Sequence, residues 1–394
     1  MLKYSIGIDI SSTKLDVAIS VIDMQQRVTV KSSKSNIFNT LSGYKELKKW
    51  IEKNHKDKSV PLVICMEATG VYHENCAFYL HQQGYRLSII LPNKAKKYMQ
   101  SLGIKSKNDK IDAQGLGQMG AEQCLKQWNP LAEFYYSLRS LTRQHQSLQE
   151  MKTAFGSQLH ALQYAMYKPK AVIKQLLKTI SGLDKQLAEM EKAITTQLKS
   201  DKTIWQKVEN ICKIKGVGTL TVAVIIAETN GFELFENSKQ LVSYAGYDAV
   251  ENQSGKHFGK TRISKKGNSR IRRCLFMPAL IVVKCEQNAF VNLYQRNYSK
   301  HNIKMKSYVA VQKKLLITIF ALWKKNEAFD NDYQTKEKTN IQKEEQVLTS
   351  RHGSERAEKN SQTKRLAKQG KHPVSDYSML PLGDNKDKKL LKLI

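Results

Sequence analysis

Lys3-Tyr4-Ser5-Ile6-Gly7-Ile8-Asp9-Ile10, followed at once by Ser11-Ser12-Thr13-Lys14, decides how the first third of the chain is built. An apolar run of this length ending in small hydroxylated residues reads as a strand and the turn after it. Asp9 then stands at the edge of a sheet, open to a phosphate; capping the turn is its simpler role. Working outward, apolar runs predict further strands at 15–22, 27–31, 61–66 and 86–91. Helical spacing fills 44–54, 72–83, 92–102 with Pro92 in its first turn, and 110–124. Three adjacent strands followed by two alternations of strand and helix predict a ribonuclease-H-like α/β domain. A dinucleotide-binding fold would carry Gly-x-Gly-x-x-Gly after its first strand, and the sequence has none there.

The fourth strand ends as the first does, in Glu67-Ala68-Thr69-Gly70, with a carboxylate closing a run that must be buried. A third acidic element follows in Lys105-Ser106-Lys107-Asn108-Asp109-Lys110-Ile111-Asp112-Ala113. Asp109 and Asp112, three apart at a helix start, project from one face of its first turn. An N-cap at Asp109 accounts for one of them and not for the other. Four carboxylates from two strand ends and one helix repel one another without a cation. Hard divalent ions, Mg²⁺ or Mn²⁺, suit such oxygen donors, and two of them can clamp a phosphodiester for in-line displacement.

Composition points the same way. The 394 residues hold 65 Lys and Arg against 35 Asp and Glu, a net charge of +30, which calls for a polyanionic partner. DNA or RNA leads, ahead of an anionic membrane surface. The longest apolar runs, 222–227 and 276–283, are too short to span a bilayer. The first residues lack the pattern of a secretory leader, and the six cysteines are scattered without a Cys-x-x-Cys or a Cys/His cluster. The expectation is a protein of a reducing cytosol, with neither zinc fingers nor disulfides.

Four parts are expected: the metal-binding α/β domain at 1–126, a helical coiled-coil arm at 127–203, a small and mostly helical domain at 204–329, and a disordered basic tail at 330–394. In the arm, Leu138, Leu141, His145, Leu148, Met151, Phe155, Leu159, Leu162 and Met166 recur every three or four residues. A second stripe runs from Leu176 to Leu198, and Lys168-Pro169 marks the break between the two helices. Such stripes serve either packing within one chain or assembly of several. The third part opens with Gly216-Val217-Gly218, which is either an ordinary tight turn or a backbone cradle for a phosphate.

Asp9, Glu67-Ala68-Thr69-Gly70 and Lys107-Asn108-Asp109-Lys110-Ile111-Asp112-Ala113 resemble the Asp-Glu-Asp-Asp motifs of the IS110 family of insertion-sequence transposases. The N-terminal domain of that family is similar to the Holliday-junction resolvase RuvC. The resemblance continues through Phe235-Glu236-Asn237-Ser238-Lys239-Gln240-Leu241, Tyr244-Ala245-Gly246 and Gln253-Ser254-Gly255-Lys256. It extends into Gly259-Lys260, Ile263-Ser264-Lys265-Lys266-Gly267-Asn268 and Ile271-Arg272-Arg273, and covers about residues 3–290 in order. It implies a transposase in which Asp9, Glu67, Asp109 and Asp112 bind a divalent cation. Ser254 of the second domain would attack the scissile phosphate and form a phosphoserine link to DNA. It also implies a structured RNA, encoded at the element's own end, that chooses target and donor DNA.

The residues around Ser254 offer separate support. From Ser254 to Arg273 there are eight cations, Lys256, Lys260, Arg262, Lys265, Lys266, Arg270, Arg272 and Arg273, and no acid. Read as phosphate contacts, they would neutralise a backbone docked beside the hydroxyl; read plainly, they are a solvated surface. Gly255 lets a phosphodiester approach, and a serine needs such neutralisation or a base to act as a nucleophile. Two domains that share one site predict a homo-oligomer, a dimer or tetramer. The competing readings are an actin-like or sugar-kinase phosphotransferase, on the strength of Gly7-Ile8-Asp9-Ile10-Ser11-Ser12-Thr13-Lys14, and a non-catalytic DNA-binding protein. The first lacks a second phosphate loop and an adenosine segment, and the second leaves the four acids unexplained.

Overall fold

The computed structural model describes residues 2–68, 70–103 and 108–331. Thr69, Lys105-Ser106-Lys107 and the basic tail from 332 onward lie outside the described residues. The chain divides into two compact units, Met1–Tyr136 and Ser137–Ile394.

In the first unit, β1 (Lys3–Ile10), β2 (Lys14–Ile22) and β3 (Val28–Phe38) form a meander and lead into α1 (Leu41–Asn54). Then follow β4 (Leu62–Glu67), α2 (Glu74–Gln82), β5 (Arg86–Ile90), α3 (Pro92–Ser101) and α4 (Asp109–Glu122). The sheet order is β3-β2-β1-β4-β5. β2 is antiparallel to both β1 and β3, while β1, β4 and β5 run parallel. This is the ribonuclease-H-like arrangement the sequence predicts. The two faces of the sheet follow from the alternation of side chains along each strand. Ile6, Ile8, Ile64 and Met66 pack with Leu47, Ile51 and Leu80 of α1 and α2. Cys65 and Ile90 pack on the opposite face with Ala95 and Tyr98 of α3 and with Leu116 and Met119 of α4.

β3 runs seven residues past its expected end at residue 31. The extension opens with five polar residues, Ser32 to Asn36, partly open to solvent at the sheet's edge, so apolar periodicity disappears there before the buried Ile37. Thr40 begins α1 by accepting from the Gly43 amide.

In the second unit, α5 (Glu133–Tyr164), which starts just ahead of the boundary, and α6 (Lys170–Lys199) make a long helical hairpin broken at Pro169. Leu148 of α5 is buried against Leu183 and Leu187 of α6, with Phe155 and Met190 beside them, so part of the stripe is spent on packing within the chain. After these come α7 (Lys202–Cys212), α8 (Thr219–Thr229) and α9 (Ser238–Ala245). Four two-residue strands follow, β6 (Ala249–Val250), β7 (Gln253–Ser254), β8 (His257–Phe258) and β9 (Arg262–Ile263). The unit closes with α10 (Ser269–Cys274), α11 (Phe276–Lys284), α12 (Asn288–His301) and α13 (Lys304–Lys325). Val208, Val222, Ile226, Leu275, Val282 and Leu315 are among its buried core residues, and Phe232 packs edge-on against Phe320 at 5.4 Å. Gly216 answers a packing need: its φ is +97°, and a β-carbon there would come within 2.6 Å of the Ile281 side chain. Among the described residues no single helix is long and apolar enough to cross a membrane, and the α10–α11 and α12 segments that reach that length together are bent by 95°.

Candidate functional site

The register of the sheet brings the acids together. β1 and β4 are parallel neighbours with Ile8 beside Met66, so Asp9 and Glu67 stand next to each other where the two strands end. Gly7 of β1 and Cys65 of β4 meet α3 and α4, and side chains two residues on share their face, which directs Asp9 and Glu67 to that side. α4 runs antiparallel to β1: Gly120 packs at Ser5, and Ala113 and Gly117 pack at Gly7. Its first turn, with Asp109 and Asp112, is thereby carried to the Asp9 end.

Asn108, and not Asp109, caps this helix. Its side-chain oxygen accepts from the Ile111 amide at 2.8 Å, and its carbonyl accepts from the Asp112 amide at 2.9 Å. Asp109 is the first helical residue, so capping does not occupy its carboxylate. Both acids sit where the helix dipole favours negative charge.

The field of the cluster shows at Asp9. Burial first, then the carboxylates of Asp109, Asp112 and Glu67, push its carboxyl up to about 6, against a smaller opposing effect from the Ile10 amide, which donates to Oδ1 at 3.1 Å. β2 sets Asp16 across from Asp9, a fifth acid at this end of the sheet that the sequence reading passed over. Among the described residues no three His, Cys, Asp or Glu side chains are grouped closely enough to hold an ion as they stand. The four acids nevertheless fit a divalent cation in donor type, all hard oxygen, and in the mutual repulsion that such an ion relieves.

Ser254 lies in the second unit on a two-tier ribbon. β6 and β9 pair at the base, Ala249 with Ile263 and Val250 with Arg262. Within the loop they close, β7 and β8 pair Gln253 with Phe258 and Ser254 with His257. Gly255 turns the tip at φ +55°, a left-handed conformation that favours glycine. Ser254, Lys256, His257, Lys260 and Arg262 are all exposed, and Phe258 is 77 % exposed. Cross-strand pairing puts the His257 side chain on the same face of the ribbon as Ser254. The sequence reading passed over His257, although a two-residue Gly-Lys turn between them is a hairpin signal.

The eight cations divide into two groups. Lys256, Lys260, Arg262, Lys265 and Lys266 are exposed on the ribbon and its return strand. Arg270, Arg272 and Arg273 are engaged with the protein. Arg273 pairs with Glu150, Arg272 donates to the Ala245 carbonyl at 2.7 Å, and Arg270 lies 3.9 Å from Glu228. The absence of acids along this stretch of sequence is thus offset in three dimensions by Glu150 of α5 and Glu228 of α8. Glu228 is only 3 % exposed. Burial pushes its carboxyl up, but Arg143, Asn268 and Arg270 outweigh burial and hold it below the ordinary value.

A ribonuclease-H-like sheet with this set of acids at its strand and helix ends defines a DEDD-type nucleic-acid-processing domain. Residues 6–166 match the IS110 DEDD transposase model, and residues 208–295 match the model described as Transposase IS116/IS110/IS902 family. The chain belongs to the IS110/IS116 family of transposases and is an enzyme of DNA recombination. This sets aside the phosphotransferase and passive-binder readings, and divalent ions are the general requirement of the family. The "Pilin gene-inverting protein" of Moraxella bovis is 29% identical over 333 residues, 84% of this chain and 98% of that protein. The "Transposase for insertion sequence element IS1328" of Yersinia enterocolitica is 22% identical over 248 residues, 57% of this chain and 72% of that protein. A T. thermophilus RuvC in complex with Holliday junction substrate superposes with a TM-score of 0.25 at 8% identity, covering 32% of this chain and 99% of that one.

Proposed function

We propose that this transposase cuts and rejoins DNA through a composite site shared by its two units. Asp9, Glu67, Asp109 and Asp112 hold Mg²⁺ or Mn²⁺, and Ser254 is the nucleophile. The observation that carries this reading is the setting of Ser254: an exposed hairpin tip with Lys256 in its turn and Lys260 and Arg262 on the return side, no acid between Asn252 and Ser269, and His257 across the ladder. A divalent cation in the acidic cluster supplies neutralisation of the phosphate and of the departing oxygen.

The protein's own groups do the rest. A bond forms from Ser254 Oγ to phosphorus as the phosphorus bond to one sugar oxygen breaks. The Oγ proton passes to the His257 imidazole, and the released sugar oxygen takes up a proton to become a hydroxyl. The number of phosphoester bonds is conserved, so the reverse attack by a sugar hydroxyl of a new strand rejoins the DNA without an outside energy source. Lys256, Lys260, Arg262, Lys265 and Lys266 hold the backbone through charge, and Phe258 offers a ring on which a base stacks. Arg270, Arg272 and Arg273 support this surface from behind. A structured RNA from the element selects the DNA partners. Two or four copies assemble so that acids and serine complete one another, in the bacterial cytoplasm at the nucleoid. The same strand exchange serves transposition and inversion, the second being what the name of the Moraxella relative describes.

The test is a supercoiled plasmid bearing the element junction, incubated with the full chain, the matching RNA and Mg²⁺. The expected result is a protein–DNA species that survives SDS, is absent with Ser254→Ala, and is absent with Asp109→Asn or Asp112→Asn although DNA binding persists. Mixing an acid variant with Ser254→Ala should restore activity if the site forms between subunits. A covalent species that persists in Ser254→Ala overturns the assignment.

A further inference from the structure

We propose that the groove between α12 and α13 is a second seat for a nucleic-acid phosphate backbone, apart from the Ser254 ribbon. The inference depends on the family's action on DNA and not on the serine assignment. From Asn288 to Asn326 the chain has eight Lys or Arg and no acid. Helical spacing gathers five basic side chains of this stretch on one concavity: Arg296, Lys300 and His301 of α12 face Lys313 and Lys314 of α13. The groove measures about 500 Å³ and has Leu293 and Ile317 in its walls.

The groove is held in shape from two sides. The opposite face of α13 is fixed in the core by Val311, Leu315 and Ile319. Near the turn at Asn302, which is left-handed at φ +49°, Tyr294 of α12 contacts Tyr308 of α13 with ring centroids 4.7 Å apart. The cations therefore cannot spread by splaying the hairpin. Among the described residues no ion pair reaches any of the five. The crowding of positive charge also registers at His301, where desolvation and then Lys306 and Lys300 depress the proton affinity of the imidazole.

An ordinary solvated face interleaves acids with bases. Here repulsion is gathered into a rigid concave seat, and a chain of phosphates relieves it. Arg296 and Lys300 are one helical turn apart, about 6 Å along α12, the same order as the separation of neighbouring phosphates in one strand. Lys and Arg contacts to phosphate position a backbone without reading bases, so the seat is sequence-independent and salt-sensitive. The segment matched to the family model ends at residue 295, within α12 and just ahead of Arg296.

The test compares the full chain with the triple variant Arg296→Gln, Lys300→Gln, Lys313→Gln. All three residues are exposed, so the fold should be retained, which circular dichroism and the melting temperature verify. A second triple variant, Lys45→Gln, Lys49→Gln, Lys53→Gln, removes the same charge from exposed positions on α1. Affinities for a 30-base-pair duplex and for an RNA hairpin are measured across salt concentrations by fluorescence anisotropy. The groove variant should bind at least about tenfold more weakly at 0.15 M salt, with the slope of log K against log salt reduced by about 2–3 for three lost phosphate contacts to duplex. A loss confined to duplex assigns the groove to DNA, a loss confined to the hairpin assigns it to RNA, and a loss with both marks a shared seat. Unchanged slopes, or an equal loss in the α1 variant, overturn the proposal.

Discussion

Gly7 of β1 and Gly117 of α4 pack backbone to backbone. A β-carbon on Gly7 would lie 2.2 Å from the Gly117 amide nitrogen and 1.9 Å from the Ala113 carbonyl oxygen. Helix and sheet approach this closely only where one side has no side chain, and the approach sets how near the first turn of α4 comes to the end of β1. Two residues beyond Gly7 is Asp9; one turn before Ala113 is Asp109, and immediately before Ala113 is Asp112. The cluster of acids is thus a consequence of a glycine contact.

Gly7→Ala should therefore act on stability and chemistry together. The new methyl has only backbone to displace, so a loss of about 3 kcal/mol is expected, along with loss of metal-dependent strand cleavage at temperatures where the variant is still folded. Gly182→Ala, in α6 with open space around the added carbon, should instead gain about 0.5–1 kcal/mol. Thermal melts of both variants, with cleavage assays on Gly7→Ala, check the pair. A Gly7→Ala protein with wild-type melting and cleavage would contradict the packing.

The raised carboxyl of Asp9 gives the metal-free protein a pH dependence of definite sign. Its folded value of about 6 exceeds the unfolded value near 3.8, so the folded chain binds the proton more tightly. Stability from this group is greatest at low pH and falls as pH rises through about 6. Asp9→Asn removes the repulsion. After EDTA treatment the variant should melt higher than wild type at pH 7.5, by on the order of 1 kcal/mol once solvent screening is allowed for, and the gap should close toward pH 4.5. Adding Mg²⁺ or Mn²⁺ at pH 7.5 should raise the wild-type melting temperature and leave Asp9→Asn nearly unmoved.

The pairing of Ser254 with His257 predicts a graded result. His257→Gln keeps a hydrogen-bonding side chain on the ribbon but no base, and should slow formation of the covalent protein–DNA species by about 10²–10⁴-fold at neutral pH. Duplex affinity should stay within twofold, and raising the pH should recover part of the rate as hydroxide takes over proton removal. Equal rates for wild type and variant in single-turnover assays would remove His257 from the chemistry.

Much of this was legible in the sequence wherever a side-chain period is one-sided. The four long buried strands and the α5–α6 hairpin announce themselves by apolar spacing, and strand-end acids are visible as carboxylates that close apolar runs. The end of β3 was not legible, because Ser32-Ser33-Lys34-Ser35-Asn36 interrupts the apolar alternation and looks like loop. The cap of α4 falls on Asn108 and not on Asp109, the acid the sequence offered for it, since the choice is made by backbone angles one residue apart. The glycines of α4 are weak helix formers by propensity, and only the structure shows that Gly117 and Gly120 admit the close approach of β1. Compensation of Arg270 and Arg273 was hidden because their acids, Glu228 and Glu150, lie 42 and 123 residues away in the chain.

Glu228 offers the sharpest separation of support from chemistry. Its carboxylate accepts from Arg143 Nε at 2.8 Å and Nη2 at 3.0 Å and from Asn268 Nδ2 at 2.8 Å, while the Tyr244 hydroxyl donates to its carbonyl at 3.1 Å. These contacts tie α5 and α8 to Asn268, whose side chain caps α10 just beyond the ribbon. Glu228→Gln keeps the shape but leaves Arg143 and Arg270 facing an amide. Because Arg143 is 42% exposed and solvent shares its charge, the cost should be about 2 kcal/mol, below that of a fully enclosed pair. The sign with pH is opposite to that of Asp9: the depressed carboxyl of Glu228 stabilises the fold above its unfolded value near 4.5 and loses that contribution as pH falls through the lower folded value. The wild-type advantage over Glu228→Gln in melting temperature should thus be full at pH 7 and shrink below pH 4.5. A coupling of 0.5 kcal/mol or more between Glu228→Gln and Arg143→Met in a double-mutant cycle would confirm that the two act as a pair. Covalent-complex formation by Glu228→Gln should fall well below its melting temperature, since Asn268 and Arg270 then release the foot of the ribbon, whereas metal binding by the acids of the first unit should not change. A Glu228→Gln protein that forms the covalent species at the wild-type rate would show that Ser254 does not need this anchor.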